Sequence, residues 1–220
     1  MSSPEPSRRP IAARDTAWAA ATARFLARRG IRPNAISVFS SVCAALGGVG
    51  FVVAGQGSGD RSWVIGMLMA IAGMQSRLLC NLFDGMVAIE GGFKTKSGEV
   101  FNELPDRFSD AFILIGAGYA TEPLHPGLPA LGWLSAVVAV TTAYVRAMGV
   151  AAGSRAHFCG PMAKQQRMAV LTAAGVIALG APAWPGLRWV IPVALALIAA
   201  GSLLTVFRRT ARIIDDLECR

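Results

Sequence analysis

Apolar residues run along this chain in blocks. Six segments carry no charged side chain: 33–59, 62–76, 111–121, 123–145, 168–187 and 189–207. Four of them reach the length of about 17–25 residues with which a helix crosses the hydrocarbon core of a bilayer. The other two, 62–76 and 111–121, are too short alone, and both border the same polar stretch, 81–110. One reaches spanning length only by running on through Arg77, Asn81 and Asp84. The other does so only by starting near Gly98 and taking in Asn102, Asp106 and Asp110. The pattern predicts an all-α integral membrane protein with six transmembrane helices, two of them carrying polar residues inside. Ionisable groups in such positions are costly and mark function. A solvated loop between two short core helices is the plain alternative.

Residues 11–29 read as a further helix before the first span. Trp18, Ala21, Thr22 and Phe25 line one side, with Arg14, Arg24 and Arg28 largely off it. A basic amphipathic helix there suits the membrane interface. Gly30 ends it, and Pro33 opens the first span, expected over 35–54 with Gly47, Gly48 and Gly50 offering a close approach to a neighbour. The second span is expected from Trp63 to about Glu90 and the third up to Ala120, with the fourth ending near Arg146. The division is a tail and juxtamembrane helix over 1–33, the six-helix domain over 34–213, and a tail over 214–220.

Composition agrees: the chain of 220 residues is 54% hydrophobic and 15% charged, with a mean hydropathy of +0.50. A soluble domain rarely has this profile. The net charge of +8 invites a nucleic-acid reading, but its distribution argues against one. Arg8, Arg9, Arg14, Arg24, Arg28, Arg29 and Arg32 precede the first span, and Lys94 and Lys96 separate the second from the third. Arg155, Lys164 and Arg167 lie between the fourth and fifth, and Arg208, Arg209, Arg212 and Arg220 follow the last. Six spans with both termini cytoplasmic place all of these on one side. The basic charge needs no nucleic acid. Cys43, Cys80, Cys159 and Cys219 show no CxxC spacing, so neither zinc nor disulfides are expected. The Arg-rich first thirty residues do not read as a cleavable leader.

The polar stretch carries the chemistry. Asn81, Asp84, Gly85 and Ala88 recur on one helical face, and Gly98, Asn102, Asp106 and Asp110 step by four along another. Folded as a helical hairpin, the two faces meet in a pocket of hard oxygen donors suited to Mg²⁺ or Mn²⁺ and a phosphate-bearing ligand. Asp110 is open to two readings: a further carboxylate or base, or a partner for Arg107 or Arg77. Glu90, Glu99 and Glu103 fall off both stripes. In the loop before the fifth span, Arg155, Lys164 and Arg167 can grip a phosphate, although positive-inside bias alone puts basic residues there. His125 reads as a surface residue.

These residues resemble the signature of the CDP-alcohol phosphotransferase family, D-x₂-D-G-x₂-A-R-x₈-G-x₃-D-x₃-D. Without gaps it falls on Asn81, Asp84, Gly85, Ala88, Ile89, Gly98, Asn102 and Asp106. Two of the four acids, both glycines and the alanine match. Asn81, Asn102 and Ile89 depart from it, the first two keeping shape while losing charge. The resemblance implies one or two divalent ions held by Asn81, Asp84, Asn102 and Asp106, with Gly85, Ala88 and Gly98 giving ligand and backbone room. It implies attack by a small alcohol on a CDP-linked lipid such as CDP-diacylglycerol, loss of CMP, and Asp106, or Asp110, as base. Lys94, Arg107, Arg155, Lys164 and Arg167 are the phosphate candidates, and a homodimer is implied. The departures motivate a second reading, a non-catalytic CDP-lipid-binding or scaffolding relative. A small ion-coupled transporter is a third.

Overall fold

The block that begins at Pro33 becomes the helix along which the next two helices pack. A computed structural model describes residues 16–92 and 98–219, and no strand occurs among them. The helices are α1 Ala17–Arg28, α2 Pro33–Gln56, α3 Asp60–Glu90, α4 Gly98–Tyr119, α5 Pro129–Ala151, α6 Lys164–Ala178 and α7 Val190–Glu218. A 3₁₀ turn, Pro185–Trp189, leads into α7.

Among the described residues, four stretches are long and apolar enough to cross a membrane: α2, α3, α5, and the turn with α7. The six expected spans all fall on helices, but α4 and α6 lie outside that group. α4 spends its first turns on Asn102, Glu103, Asp106, Arg107 and Asp110. The charge-free run continues to Leu187, but its prolines mark residues 181–186 as a turn between the last two spans. α6 stops just before it at Ala178, because Gly180 weakens the helix and Pro182 lacks the N–H that would extend it. α5 passes its expected end at Arg146 and continues to Ala151. The Arg146 guanidinium bonds Glu103 of α4 at 2.7 Å, so that charge does not end the helix.

Small residues decide the packing of α2. Gly47 and Gly50 face Ala70, Gly66 and Gly73 of α3, while Gly48 faces Phe112 and Gly116 of α4. A Cβ on Gly73 would lie 2.6 Å from the Gly47 Cα, closer than carbon atoms approach, so the helix axes are nearer than larger residues permit. The expected hairpin is not a tight one. α3 and α4 each lie along α2 and scarcely touch each other. Their facing sides carry Arg77, Asp106 and Asp110, whose side chains fill the space between them.

α1 packs on α3 through Ala19 and Ala23, which meet Leu82, Met86 and Val87. The Trp18 ring sits edge-on to Phe83 at 6.0 Å, yet Trp18 and Phe25 stay more than half exposed. The face that docks is therefore the alanine face, which lets backbones close, and not the aromatic stripe. Residues 11–15 of the expected helix lie outside the described residues. Phe51, Met67, Met74, Ile113, Leu114, Leu171, Ile191 and Leu195 form the apolar core. At one end of the bundle Trp63 Nε1 donates to the Ala178 carbonyl at 2.7 Å. The Asp60–Arg188 pair also lies at that end, and most of the other charged groups collect at the opposite one, where α3, α5 and α7 finish and α4 and α6 begin.

Candidate active site

Arg77, Asn81 and Asp84 stand one turn apart on α3, and serines of α2 hold them. Ser37 Oγ donates to Asp84 Oδ2 at 2.8 Å. Asn81 Nδ2 donates to Ser40 Oγ at 3.2 Å and to the Arg77 carbonyl at 3.0 Å, which turns its amide oxygen away from both acceptors. Arg77 and Asp84 are buried. On α4, Pro105 interrupts the hydrogen-bond ladder beside Asp106. Ser41 Oγ donates to the Pro105 carbonyl at 3.2 Å and accepts from Ser109 Oγ at 3.1 Å, which fastens that irregular turn to α2.

Between α3, α4 and α6 the side chains form a buried ion cluster. Asp110 bonds Arg77 through Oδ1 at 2.5 Å and Arg167 through Oδ2 at 2.7 Å. Both of its oxygens are engaged, so the geometry takes up the pairing reading of Asp110, with Arg77 as partner. Arg107 turns instead to Glu103 at 3.1 Å and lies 3.9 Å from Asp106 Oδ2. Asp106 Oδ1 meets Lys164 Nζ at 2.5 Å and Arg77 Nη2 at 3.7 Å. Asp84 lies within electrostatic reach of Asp106 and Lys164. The three aspartates thus stand against Arg77, Lys164 and Arg167 in apolar surroundings, with the Arg107–Glu103 pair at their edge, and an unmatched charge there costs several kcal/mol, on the order of 3–5. Arg77 Nε and Nη1 and Arg167 Nε are buried with no hydrogen-bond partner among the described residues.

The expected metal ligands do not all converge. No three His, Cys, Asp or Glu side chains gather as a metal site among the described residues. Asp84 and Asn81 share a face and offer oxygen donors that suit one hard divalent ion. Asp106 faces them across the gap but is already met by Lys164, and Asn102 is exposed and outside the buried cluster. Gly85 and Ala88 continue the α3 face half-buried, and half-buried Gly98 opens α4. Lys94 lies outside the described residues.

Behind Asp106 a cavity of about 180 Å³ opens between α4, α5, α6 and α7. Arg107, Arg146, Lys164, Arg167 and Arg209 give it positive walls, with Glu103 and Asp106 at its edge. Arg209 is fixed by donating to the Cys159 and Thr142 carbonyls at 3.0 and 2.6 Å. Arg155 is not part of this cavity. It is exposed and donates to Asp216 through Nε at 3.1 Å and Nη2 at 3.3 Å, beside a separate pocket of about 500 Å³. Ser154 Oγ at 3.1 Å and His157 Nε2 at 2.8 Å complete that contact. The Asp216 carboxyl is pulled down to about 2, chiefly by the Arg155 hydrogen bond. Arg155 therefore fastens its loop to α7, and the phosphate candidates that share the cavity are Arg107, Lys164 and Arg167. Arg146 and Arg209 join them from outside the sequence expectation, and Glu103, set aside as off both stripes, reaches the cavity by pairing with Arg107 and Arg146.

No family model matches the chain. The phosphatidylinositol phosphate synthase of Streptomyces avermitilis is 25% identical to it over 194 residues, 87% of this chain and 75% of that protein. The phosphatidylinositol phosphate synthase of Mycobacteroides abscessus is 24% identical over 199 residues, 85% of this chain and 79% of that protein. Among solved structures, the Mycobacterium tuberculosis phosphatidylinositol phosphate synthase with CDP-DAG bound matches with a TM-score of 0.71 at 20% identity, covering 89% of this chain and 92% of that one. The same enzyme in complex with manganese and citrate also matches at 0.71, covering 89% and 88%.

Proposed function

We propose that this chain, a member of the CDP-alcohol phosphotransferase family and an enzyme of phospholipid synthesis, moves a phosphatidyl group from CDP-diacylglycerol to a small phosphorylated alcohol and releases CMP. The observation that carries this reading is the position of Asp106. It stands between the α3 face that bears Asp84 and a cavity walled by Arg107, Arg146, Lys164, Arg167 and Arg209. A donor diphosphate on the first side and an acceptor phosphate on the second would bring the acceptor hydroxyl to Asp106.

Asp84 and the Asn81 oxygen would hold a Mg²⁺ or Mn²⁺ ion, with Asp106 across from it. Such an ion neutralises the diphosphate and makes CMP a better leaving group. The chain's own groups do the rest. Ser37 orients Asp84, and the Arg77–Asp110–Arg167 chain fixes the spacing of α3, α4 and α6. Lys164 and Arg77 occupy the Oδ1 side of Asp106, and Oδ2, with Arg107 at the longer distance of 3.9 Å, is the oxygen that would take the acceptor's proton. The oxygen so freed forms a bond to the lipid-bearing phosphorus as the bond from that phosphorus to the CMP oxygen breaks. The cationic walls bind an acceptor phosphate through charge-assisted hydrogen bonds.

The distribution of Lys and Arg supports six spans with the site and both termini on the cytoplasmic side. Purified protein supplied with CDP-diacylglycerol, Mn²⁺ and matched pairs of alcohols, each with and without a phosphate, is the test. CMP should be released with the phosphorylated member of a pair, at least tenfold faster than with its partner. Release with neither member of any pair would overturn the transferase reading. Equal release with both would overturn the acceptor assignment.

A further inference from the structure

We infer that Lys164 is a built-in counter-ion: its ammonium takes the place of a second divalent cation at Asp106, so that the cleft binds no more than one divalent ion per chain. The inference rests on the transferase reading and deepens it. Three observations carry it.

Two of the four signature acids are carboxamides here, Asn81 and Asn102, and Asn102 is exposed and apart from the buried cluster. The anionic donors that remain on the signature are Asp84 and Asp106, one on each side of the gap. A pair of divalent ions shared between them would be held by too little negative charge.

Lys164 Nζ sits 2.5 Å from Asp106 Oδ1. A divalent ion on that oxygen needs a separation of about 2.0–2.2 Å, and it would stand against an ammonium already in contact with the same atom. Lys164 is the first residue of α6, and Arg167, one turn on, is itself bonded to Asp110. The start of α6 is thereby tied to α4, so Lys164 is held against Asp106 by the fold.

The charges close without a second ion. Asp84, Asp106 and Asp110 are equalled in number by Arg77, Lys164 and Arg167, while Arg107, 3.9 Å from Asp106, is balanced by its nearer partner Glu103. One divalent ion brought in with the two ionised phosphates of a CDP-linked lipid leaves the balance unchanged. A second would place an excess of positive charge among groups that the bundle buries, where Arg77 and Arg167 already hold N–H groups without partners.

Counting bound Mn²⁺ tests this without turnover. The full-length protein in detergent, with no CDP-lipid present, is dialysed against Mn²⁺, and free ion is read by electron paramagnetic resonance. The wild type should bind none or one ion tightly, and Lys164→Arg should match it. Lys164→Gln, which takes the ammonium away from Asp106 Oδ1 and leaves Arg77 at the longer 3.7 Å, should bind one ion more than the wild type. Two tight ions in the wild type, or no gain in folded Lys164→Gln, would overturn the assignment. Should Lys164→Gln not fold, the wild-type count decides. Two bound ions together with CMP release would remove the role given to Lys164 and leave the enzyme reading standing. One bound ion without CMP release would do the reverse.

Discussion

With Asn in place of Asp106, phosphatidyl transfer is expected to fall by about 10²–10⁴-fold while the protein still folds. The carboxamide keeps the shape of the carboxylate and still offers Lys164 an oxygen at the 2.5 Å contact. It no longer offers an atom that takes a proton from the acceptor hydroxyl. The loss should therefore appear in kcat, with the acceptor KM changed only a few-fold, because the cationic walls of the cavity are intact. Initial rates of CMP release at saturating donor would measure it. A fall of less than about threefold would mean that another group accepts the proton.

Asp110→Asn should act on the fold. Asp110 is fully buried, and its two oxygens satisfy Arg77 and Arg167 at 2.5 and 2.7 Å. Removing its charge leaves two guanidiniums facing each other among groups that already include orphaned N–H atoms. Breaking a buried pair from one side costs about 3–5 kcal/mol, roughly 10 °C in unfolding midpoint for a chain of this size. Thermal unfolding in detergent, followed by circular dichroism, would show it. Adding Arg167→Gln to Asp110→Asn should recover part of the loss, since the repulsion goes with the second charge. An unchanged midpoint in the single variant would mean that water reaches this cluster.

Much of this arrangement can be read from residue order, for definite reasons. α2, α3, α5 and α7 follow from the charge-free blocks, because a helix in lipid has few other ways to satisfy its backbone. α4 is legible by necessity: its apolar part is too short unless Asp106 and Asp110 are included. The end of α6 is legible from Pro182 and Pro185, which mark residues 181–186 as a turn, although hydropathy alone runs on past them. The docking face of α1 is hidden, since Ala19 and Ala23 look unremarkable beside Trp18 and Phe25 until α3 is in place. At the site, Asp84 and Asp106 stand out by spacing, and Arg77 by its depth in a span. Arg146 and Arg209 do not, since each enters the cavity only after α5 and α7 pack beside α4. Arg155 and Lys164 look alike in a basic loop. Only the fold separates the one that holds Asp216 from the one that holds Asp106.

The measurement that bears most directly on the whole account is a mass balance on the purified wild-type protein. It would be given radiolabelled CDP-diacylglycerol, Mn²⁺ and a phosphorylated alcohol, and both products would be quantified. CMP and the phosphatidylated alcohol should appear in equal amounts and rise together with time. CDP-diacylglycerol recovered intact, or CMP formed without transfer of the lipid to the alcohol, would contradict it.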